Sequence, residues 1–402
     1  MNNWLDEMDF DATVRDYDFT RRAVQKMNRA VESRDFENMD TKVIFRHLFQ
    51  VMEMVSFKDY LKRYIYERAE IQEPYRTVPD EVYREILSDT FQENNVPFSM
   101  TPTTKKKTAI IKSWLSQDCV KRSTIFLLGF GLRMSEDDVS EFLTKVIKED
   151  GFRFWDSEET IYWYCYHNHL GYARATELLH RYTQETTEQN QEGKLNMSNL
   201  ENDTPPQIHS EKELGRYIRC LNRMKLSEGR QMIAYEQLDQ LYGHVQKTIT
   251  DMYQKDEDIE NTGKIWSADK ITPADVEKVL CDGIPVTKNG NLTKMSVSLL
   301  ARQFEQKRMS RQRLDNLLKR KLKVERFDLI TLLFFIFAEE VEPNWPVERY
   351  LQYTEKINEI LKKCGMIGIY PVNPYESFVL MCLLSEDPLN MYTEIWEMSY
   401  QE

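Results

Sequence analysis

The stretch Met309–Ala338, MSRQRLDNLLKRKLKVERFDLITLLFFIFA, decides how we interpret the rest of this chain. Ser310 is a residue type that favours the cap of a helix, and leucines follow it at three- and four-residue spacing. A basic connection over 319–326 then leads into a second, very apolar helix, predicted over 327–338. The leucines that should face the core are Leu314, Leu317 and Leu318.

The composition predicts a globular protein that is built from helices. The 402 residues include 12% aromatic and 30% charged residues, which is typical of a folded chain of one or two domains. Thirteen Gly and thirteen Pro are few for this length, and helical apolar spacing recurs along the chain. We therefore expect an all-α fold.

Several features indicate a cytoplasmic location. The acidic amino terminus lacks the basic and apolar regions of a signal peptide, and the longest apolar run, 329–338, is too short to span a bilayer. The six cysteines are widely scattered and contain no C-x-x-C pair. This spacing argues against a disulfide framework or a zinc ribbon and fits reduced thiols.

Charge is segregated along the chain, although the net charge is −12. Residues 296–326 hold ten Lys/Arg and three Asp/Glu, and residues 104–122 hold six basic residues and one acidic residue. The overall charge speaks against nonspecific coating of nucleic acid by the whole molecule, but each basic segment can form a local basic face.

Two halves of the chain echo each other in the same order. RSTIFLLGF at Arg122–Phe130 parallels RFDLITLLFF at Arg326–Phe335, and FWDSEETIYWYC at Phe154–Cys165 parallels YPVNPYESFVLMC at Tyr370–Cys382. We therefore predict two helical-bundle domains related by a divergent internal repeat. Residues 1–182 form the first, a polar linker follows over 183–210, and 211–402 form the second. The alternative is that two amphipathic bundles look alike because helices do.

Ser-Arg-x-x-Leu-x-x-Leu, a basic turn and Leu-Ile-x-Leu resemble the recognition helix and following helix of phage-repressor (Cro-like) helix-turn-helix domains. The matching region is 297–337, and a weaker version lies in Lys105–Gly131. Segments 131–166 and 337–384 look similar to the helical extension of such regulators in Gram-positive bacteria and their mobile elements. Val297–Lys307 would be the supporting helix, with Leu300, Ala301 and Phe304 facing inward.

The resemblance implies double-stranded DNA as the partner of a basic helix over 310–321. Arg matches guanine edges, Gln and Asn match adenine edges, and Lys contacts phosphate. The side chains that would face DNA in the second half are Arg311, Gln312, Arg313, Asn316, Lys319 and Arg320. Those of the first half are Lys105, Lys106, Lys107 and Lys112. Alternatively, these cations form a solvated helix face that balances an acidic surface.

The sequence also bears on enzymatic, metal-binding and protein-interaction functions. No phosphate-binding loop, dinucleotide fingerprint or hydrolase motif is present in the sequence, so we predict no enzyme and no cofactor. In Cys165-x-His167-x-His169, side chains two apart on a helix diverge, so we predict no metal site there. A helical protein-interaction adaptor, or a homodimer, remains open. A deep pocket lined by charged residues of both halves would favour an enzyme instead.

Overall fold

The structure is a computed structural model, and it describes thirteen parts of the chain. These are residues 41–42, 44–45, 56–101, 104–184, 205–224, 226–256, 267–288, 291–298, 300–301, 304, 307–339, 345–370 and 373–400. Most of the predicted linker and most of residues 1–55 lie outside them.

The described residues form helices, which we number in chain order. Those of the first half are α1 (Phe57–Arg68), α2 (Asp80–Glu93), α3 (Lys107–Trp114), α4 (Arg122–Gly131), α5 (Glu136–Glu141), α6 (Ser157–His167), α7 (Tyr172–Gln184) and α8 (Glu211–Met224). Those that follow are α9 (Leu226–Asp256), α10 (Pro273–Leu280), α11 (Arg311–Leu318), α12 (Arg326–Glu339), α13 (Pro346–Lys363), α14 (Pro374–Leu383) and α15 (Pro388–Met398).

The all-α prediction is confirmed for the described residues. Their single β-type contact is an isolated bridge between Val286 and Leu292. The described helices include none that is long and apolar enough to cross a membrane. All six cysteines are free thiols.

Local sequence fixes many of the helix starts. Ser310 caps α11 by accepting a hydrogen bond from the backbone of Arg313, as the sequence predicts. Ser135 and Asp138 form a capping box at α5. Pro374 occupies the first turn of α14, where a missing amide hydrogen costs no helical bond. Helix α5 is short, because it passes into a π-helical turn at Phe142–Val146.

Two hydrophobic cores hold these helices together. The first contains buried side chains from Phe57 to Leu221. The second contains Ile44, Phe45 and buried side chains from Ala234 to Trp396. The apolar helix α12 lies at the centre of the second core and contacts α9, α13, α14 and α15. Nine of its residues are buried, and full burial of a Leu, Ile or Phe side chain contributes about 1.5–3 kcal/mol.

Helix α8 packs with the first core, although the sequence analysis assigns 211–402 to the second domain. Leu214, Ile218 and Leu221 are buried there, and the Tyr217 hydroxyl donates to the Phe154 carbonyl over 3.1 Å. Glu211 also accepts three hydrogen bonds from Arg174 of α7. Hydrophobic contacts therefore change from one core to the other near residue 225, and the domain boundaries themselves stay predictions.

Candidate functional site

Helix α11 has a buried face and an exposed face, as its leucine spacing predicts. Leu314 and Leu317 are fully buried in the second core, whereas Arg311, Gln312 and Lys319 are exposed. Asp315 and Asn316 are partly exposed and lie on the same outward side, because residues four apart share a helix face. The structure thus brings together four of the six second-half residues that the sequence predicts to contact DNA.

Arg313 has a different position from the one that the sequence predicts. Its guanidinium donates to both oxygens of Asp328, over 2.6 and 3.0 Å, and Asp328 is completely buried in α12. The Asp328 carboxylate also accepts the backbone N–H of Glu325 over 2.9 Å. Arg313 therefore joins α11 to α12 and points inward, because a buried carboxylate requires a cation and hydrogen-bond donors.

The other cations near α11 have acidic neighbours. Lys319 lies 2.7 Å from Asp315, and the Arg311 Nε lies 3.8 Å from Glu277. Arg320 binds Asp239 of α9 and stacks on the ring of Tyr235, with 4.4 Å to the ring centroid. Glu277 of α10 also accepts the backbone N–H of Arg311 over 3.0 Å, so a carboxylate lies at the start of α11.

The first-half lysines lie around the start of α3. Lys105, Lys106 and Lys112 are exposed. Lys107 is partly buried: its ammonium donates to the Ser88 carbonyl over 3.3 Å and lies 4.9 Å from the centroid of the Phe98 ring. Three of the four lysines therefore form an exposed basic surface, and the fourth joins α3 to α2.

The predicted supporting helix Val297–Lys307 falls partly outside the described residues. Within it, Leu300, Ala301 and Phe304 are buried, as predicted. A short 3₁₀ turn covers Met295–Val297, and α10 packs against α11 through Glu277. Among the described helices, α10 therefore supports α11, although its sequence did not suggest this role.

The first half contains a buried arginine–glutamate cluster between α4 and α6. Arg122 donates to both Glu159 oxygens over 2.7 and 2.6 Å, to the Asp150 carbonyl over 2.8 Å, and to the Gly151 carbonyl. Glu159 also accepts the backbone N–H of Arg153 over 2.9 Å. A single guanidinium thus fixes two helices and the chain between them.

The second half contains the same arrangement between α12 and α14. Arg326 donates to both Glu376 oxygens over 2.8 Å, to the Ile367 carbonyl over 2.7 Å, and to the Gly368 carbonyl over 3.1 Å. Glu376 accepts the backbone N–H of Tyr370 over 2.5 Å. Each of these partner residues in the second half lies 217 positions after the matching residue of the first half, whereas the two arginines are 204 positions apart. The parallel sequence segments of the two halves are separated by the same two offsets.

Arg122 of the first cluster and Arg326 and Glu376 of the second line one cavity of about 490 Å³. At this cavity the Asn373 amide donates to the Lys148 carbonyl over 3.5 Å. Burial disfavours the charged form of Asp150, but Arg153, Arg122 and, from the second half, Arg326 outweigh it and lower its pKa to about 2. Eight Lys/Arg and five Asp/Glu line the cavity.

Two groups in this cavity are left without the partners that buried polar groups normally have. Lys148 is only 7% exposed, and among the described residues none places a carboxylate within ion-pair distance of its ammonium group. Burial lowers the pKa of Lys148. Gln231 lines the same cavity, and its buried side-chain nitrogen has no hydrogen-bond partner among the described residues. The sequence pattern does not single out either residue.

The remaining candidates of the sequence analysis have structural roles. Cys165 is buried in the core, whereas His167 and His169 are exposed at the end of α6, and His167 lies 2.7 Å from Glu136. The aromatic side chains of 161–166 are buried, which is typical of packing between helices. Within the described ranges, no three His, Cys, Asp or Glu side chains gather in a way that could hold a metal ion.

Comparisons with family models, with curated proteins and with solved structures found no match to this chain. The function must therefore be inferred from the residues and contacts described above.

Proposed function

We propose that the protein is a cytoplasmic DNA-binding regulator that reads duplex DNA with the exposed face of α11. The observation that carries this proposal is the composition of that face. Arg311, Gln312, Asn316 and Lys319 project from the side opposite the buried leucines. These residue types match guanine, adenine and phosphate, and a helix of this length fits the major groove.

A phosphate group can replace two of the acidic neighbours of this face, Asp315 and Asp239. The ion pairs of Lys319 with Asp315 and of Arg320 with Asp239 have both partners more than 40% exposed. Exposed pairs of this kind typically contribute only about 0–1 kcal/mol, so a phosphate group can replace the carboxylate at little cost. The Arg313–Asp328 pair is buried and cannot be exchanged in this way, so we leave Arg313 out of the proposed interface.

The lysines at the start of α3 extend the same proposal to the first half. Lys105, Lys106 and Lys112 are exposed on a helix of eight residues, and α3, like α11, is followed by seven residues and an apolar helix that begins with arginine. We infer that both halves descend from one duplicated unit, because this spacing and the two arginine–glutamate clusters repeat together. The α3 surface contains lysine but no Arg, Gln or Asn match, so we assign it phosphate contacts.

A protein-interaction adaptor is the second candidate, and exposed apolar side chains favour it. Trp345, which caps α13, is 63% exposed, and Leu351 within that helix is 56% exposed. A large exposed apolar residue is a frequent anchor of protein interfaces. In this reading, the cations of α11 only balance the neighbouring carboxylates.

The test is selection of bound fragments from a random duplex DNA library, followed by affinity measurements at several salt concentrations. We expect a sequence motif, and we expect the variant with Arg311→Ala and Gln312→Ala to bind it at least tenfold more weakly, since a bidentate base contact contributes about 1–3 kcal/mol. Lys356→Ala, which removes an exposed cation of α13, is the matched control and should leave affinity unchanged.

The variant set separates recognition from folding. Arg313→Ala would lower stability and is therefore unsuitable for mapping contacts, whereas Arg311 and Gln312 are exposed. Lys319→Ala should weaken binding to all sequences alike and reduce the dependence of log affinity on log salt by about one unit. If no fragment is enriched, the regulator proposal fails and the adaptor becomes the better account.

A further inference from the structure

The cavity between the two arginine–glutamate clusters has the dimensions of a small-molecule site. Its volume of about 490 Å³ lies within the usual range of about 300–1,000 Å³ for such sites. Its lining comes from both halves of the chain, with Lys148 and Trp155 from the first half and Lys323 and Asn373 from the second. A ligand there would contact both halves of the molecule at once.

Positive charge in this cavity exceeds what the protein itself neutralises. The carboxylates of Asp150 and Glu376 already bind Arg153 and Arg326, and Glu325 lies 2.9 Å from Lys307. The Asp156 carboxylate caps α6 through backbone N–H groups. These acidic groups therefore have partners of their own, and the buried ammonium of Lys148 is not compensated by them.

Two features of Lys148 are energetically unfavourable. Burying an ammonium group away from a carboxylate is unfavourable, and its backbone lies in the left-handed region, with a φ of 56°, which is uncommon for a residue with a side chain. Gln231 adds an amide N–H donor that has no acceptor. Both groups donate hydrogen bonds, so the missing partner is an acceptor with negative charge.

We propose that this cavity binds a small molecule that carries a phosphate group. Phosphate offers three acceptor oxygens and nearly two negative charges, enough for the Lys148 ammonium and the Gln231 amide together. The exposed cations Lys121 and Lys323 line the same cavity and would attract the anion. Arg230, 4.7 Å from the centroid of the Trp155 ring, forms an adjacent flat surface on which an organic group can pack. The proposal does not depend on DNA binding.

Calorimetric titration of the full chain with pyrophosphate and with ADP, at ionic strength matched with sodium chloride, tests the proposal. We expect saturable binding of at least one probe and a higher melting temperature in its presence, since a ligand that binds the folded state stabilises it. Lys148→Met should weaken binding at least tenfold. Lys356→Met removes an exposed cation far along α13 and should leave binding unchanged.

The unliganded stability of the same variants provides the second readout. Lys148→Met removes a buried, uncompensated charge, so its melting temperature without ligand should equal or exceed that of the original chain. Gln231→Leu should also weaken binding without lowering that temperature. If neither probe binds in the millimolar range, or if Lys148→Met and Gln231→Leu bind as tightly as the original chain, the proposal is overturned.

Discussion

The Arg122–Glu159 and Arg326–Glu376 clusters share their hydrogen bonds but differ in the side chains around them. The carbonyl of Asp150 and that of Ile367 accept from the arginine at matching positions, and the backbone N–H groups of Arg153 and Tyr370 donate to the glutamate. Backbone groups make these hydrogen bonds in both halves. The positions between arginine and glutamate can therefore change residue type while the cluster persists.

The difference lies in a second ion pair that only the first cluster contains. The Arg153 guanidinium donates to both oxygens of Asp150, each over 2.9 Å, and also approaches Glu159 to 3.9 Å. At the matching positions the second half has Ile367 and Tyr370. Glu159 thus has a second cation nearby, whereas Arg326 is the one cation that binds Glu376 among the described residues. Identical hydrogen bonds therefore do not imply equal resistance to substitution.

The largest predicted effect follows from this difference. Arg326→Ala leaves the Glu376 carboxylate buried without a cation, and we expect a loss of about 3–5 kcal/mol in the second core. Arg122→Ala should cost the first core less, because Arg153 remains near Glu159. Hydrogen exchange of peptides from α12 and α4 measures the two losses separately. Equal losses would contradict the role given to Arg153.

A second prediction concerns acid. The pKa of Asp150 falls from its ordinary value of 3.8 to about 2 in the folded state. The stabilisation, about 2 kcal/mol, is complete above pH 4 and is lost as the pH falls through the folded pKa. Hydrogen exchange of the first core between pH 6 and pH 2.5 should reveal this loss. The Asp150→Asn variant should be less stable at neutral pH and should lack this component of the pH dependence; an unchanged pH profile would refute the assignment.

The smallest predicted effect compares the glycines of the two clusters. A Cβ at Gly368 would lie 2.8 Å from the Asn358 Oδ1, which accepts the backbone N–H of Ile369, whereas one at Gly151 would meet its nearest neighbour at 3.5 Å. We expect Gly368→Ala to cost about 1–3 kcal/mol and Gly151→Ala to be close to neutral, as judged by urea unfolding. A larger loss of stability for Gly151→Ala than for Gly368→Ala would contradict the packing described for these two glycines.

Much of the helical structure could be predicted from local sequence. Ser310 caps α11, Pro374 begins α14, and the apolar run after Arg326 forms α12, because caps, proline and apolar spacing act within a few residues. Leu314 and Leu317 face the core for the same reason. The outward positions of Arg311 and Gln312 follow directly from this spacing.

The position of Arg313 could not be predicted in this way. It follows the outward-facing Arg311 and Gln312 in a basic stretch, and only the packing of α11 against α12 places the buried Asp328 within reach. The same is true of helix α8, whose sequence follows the predicted linker but whose leucines pack with the first core. Long-range packing decides which partner such a side chain or helix contacts, even where apolar spacing sets its buried face.

The sequence by itself determined the all-α class, many of the helix starts and the exposed face of α11, because these depend on spacing and capping within one or two turns. The sequence echo also placed Glu159 over Glu376. Only the tertiary structure brought each glutamate to its arginine, 37 and 50 residues earlier, and placed Lys148 and Gln231 beside one cavity. Such groups are separated by many turns of chain, so their meeting depends on how the two cores pack and leaves no local pattern in the sequence.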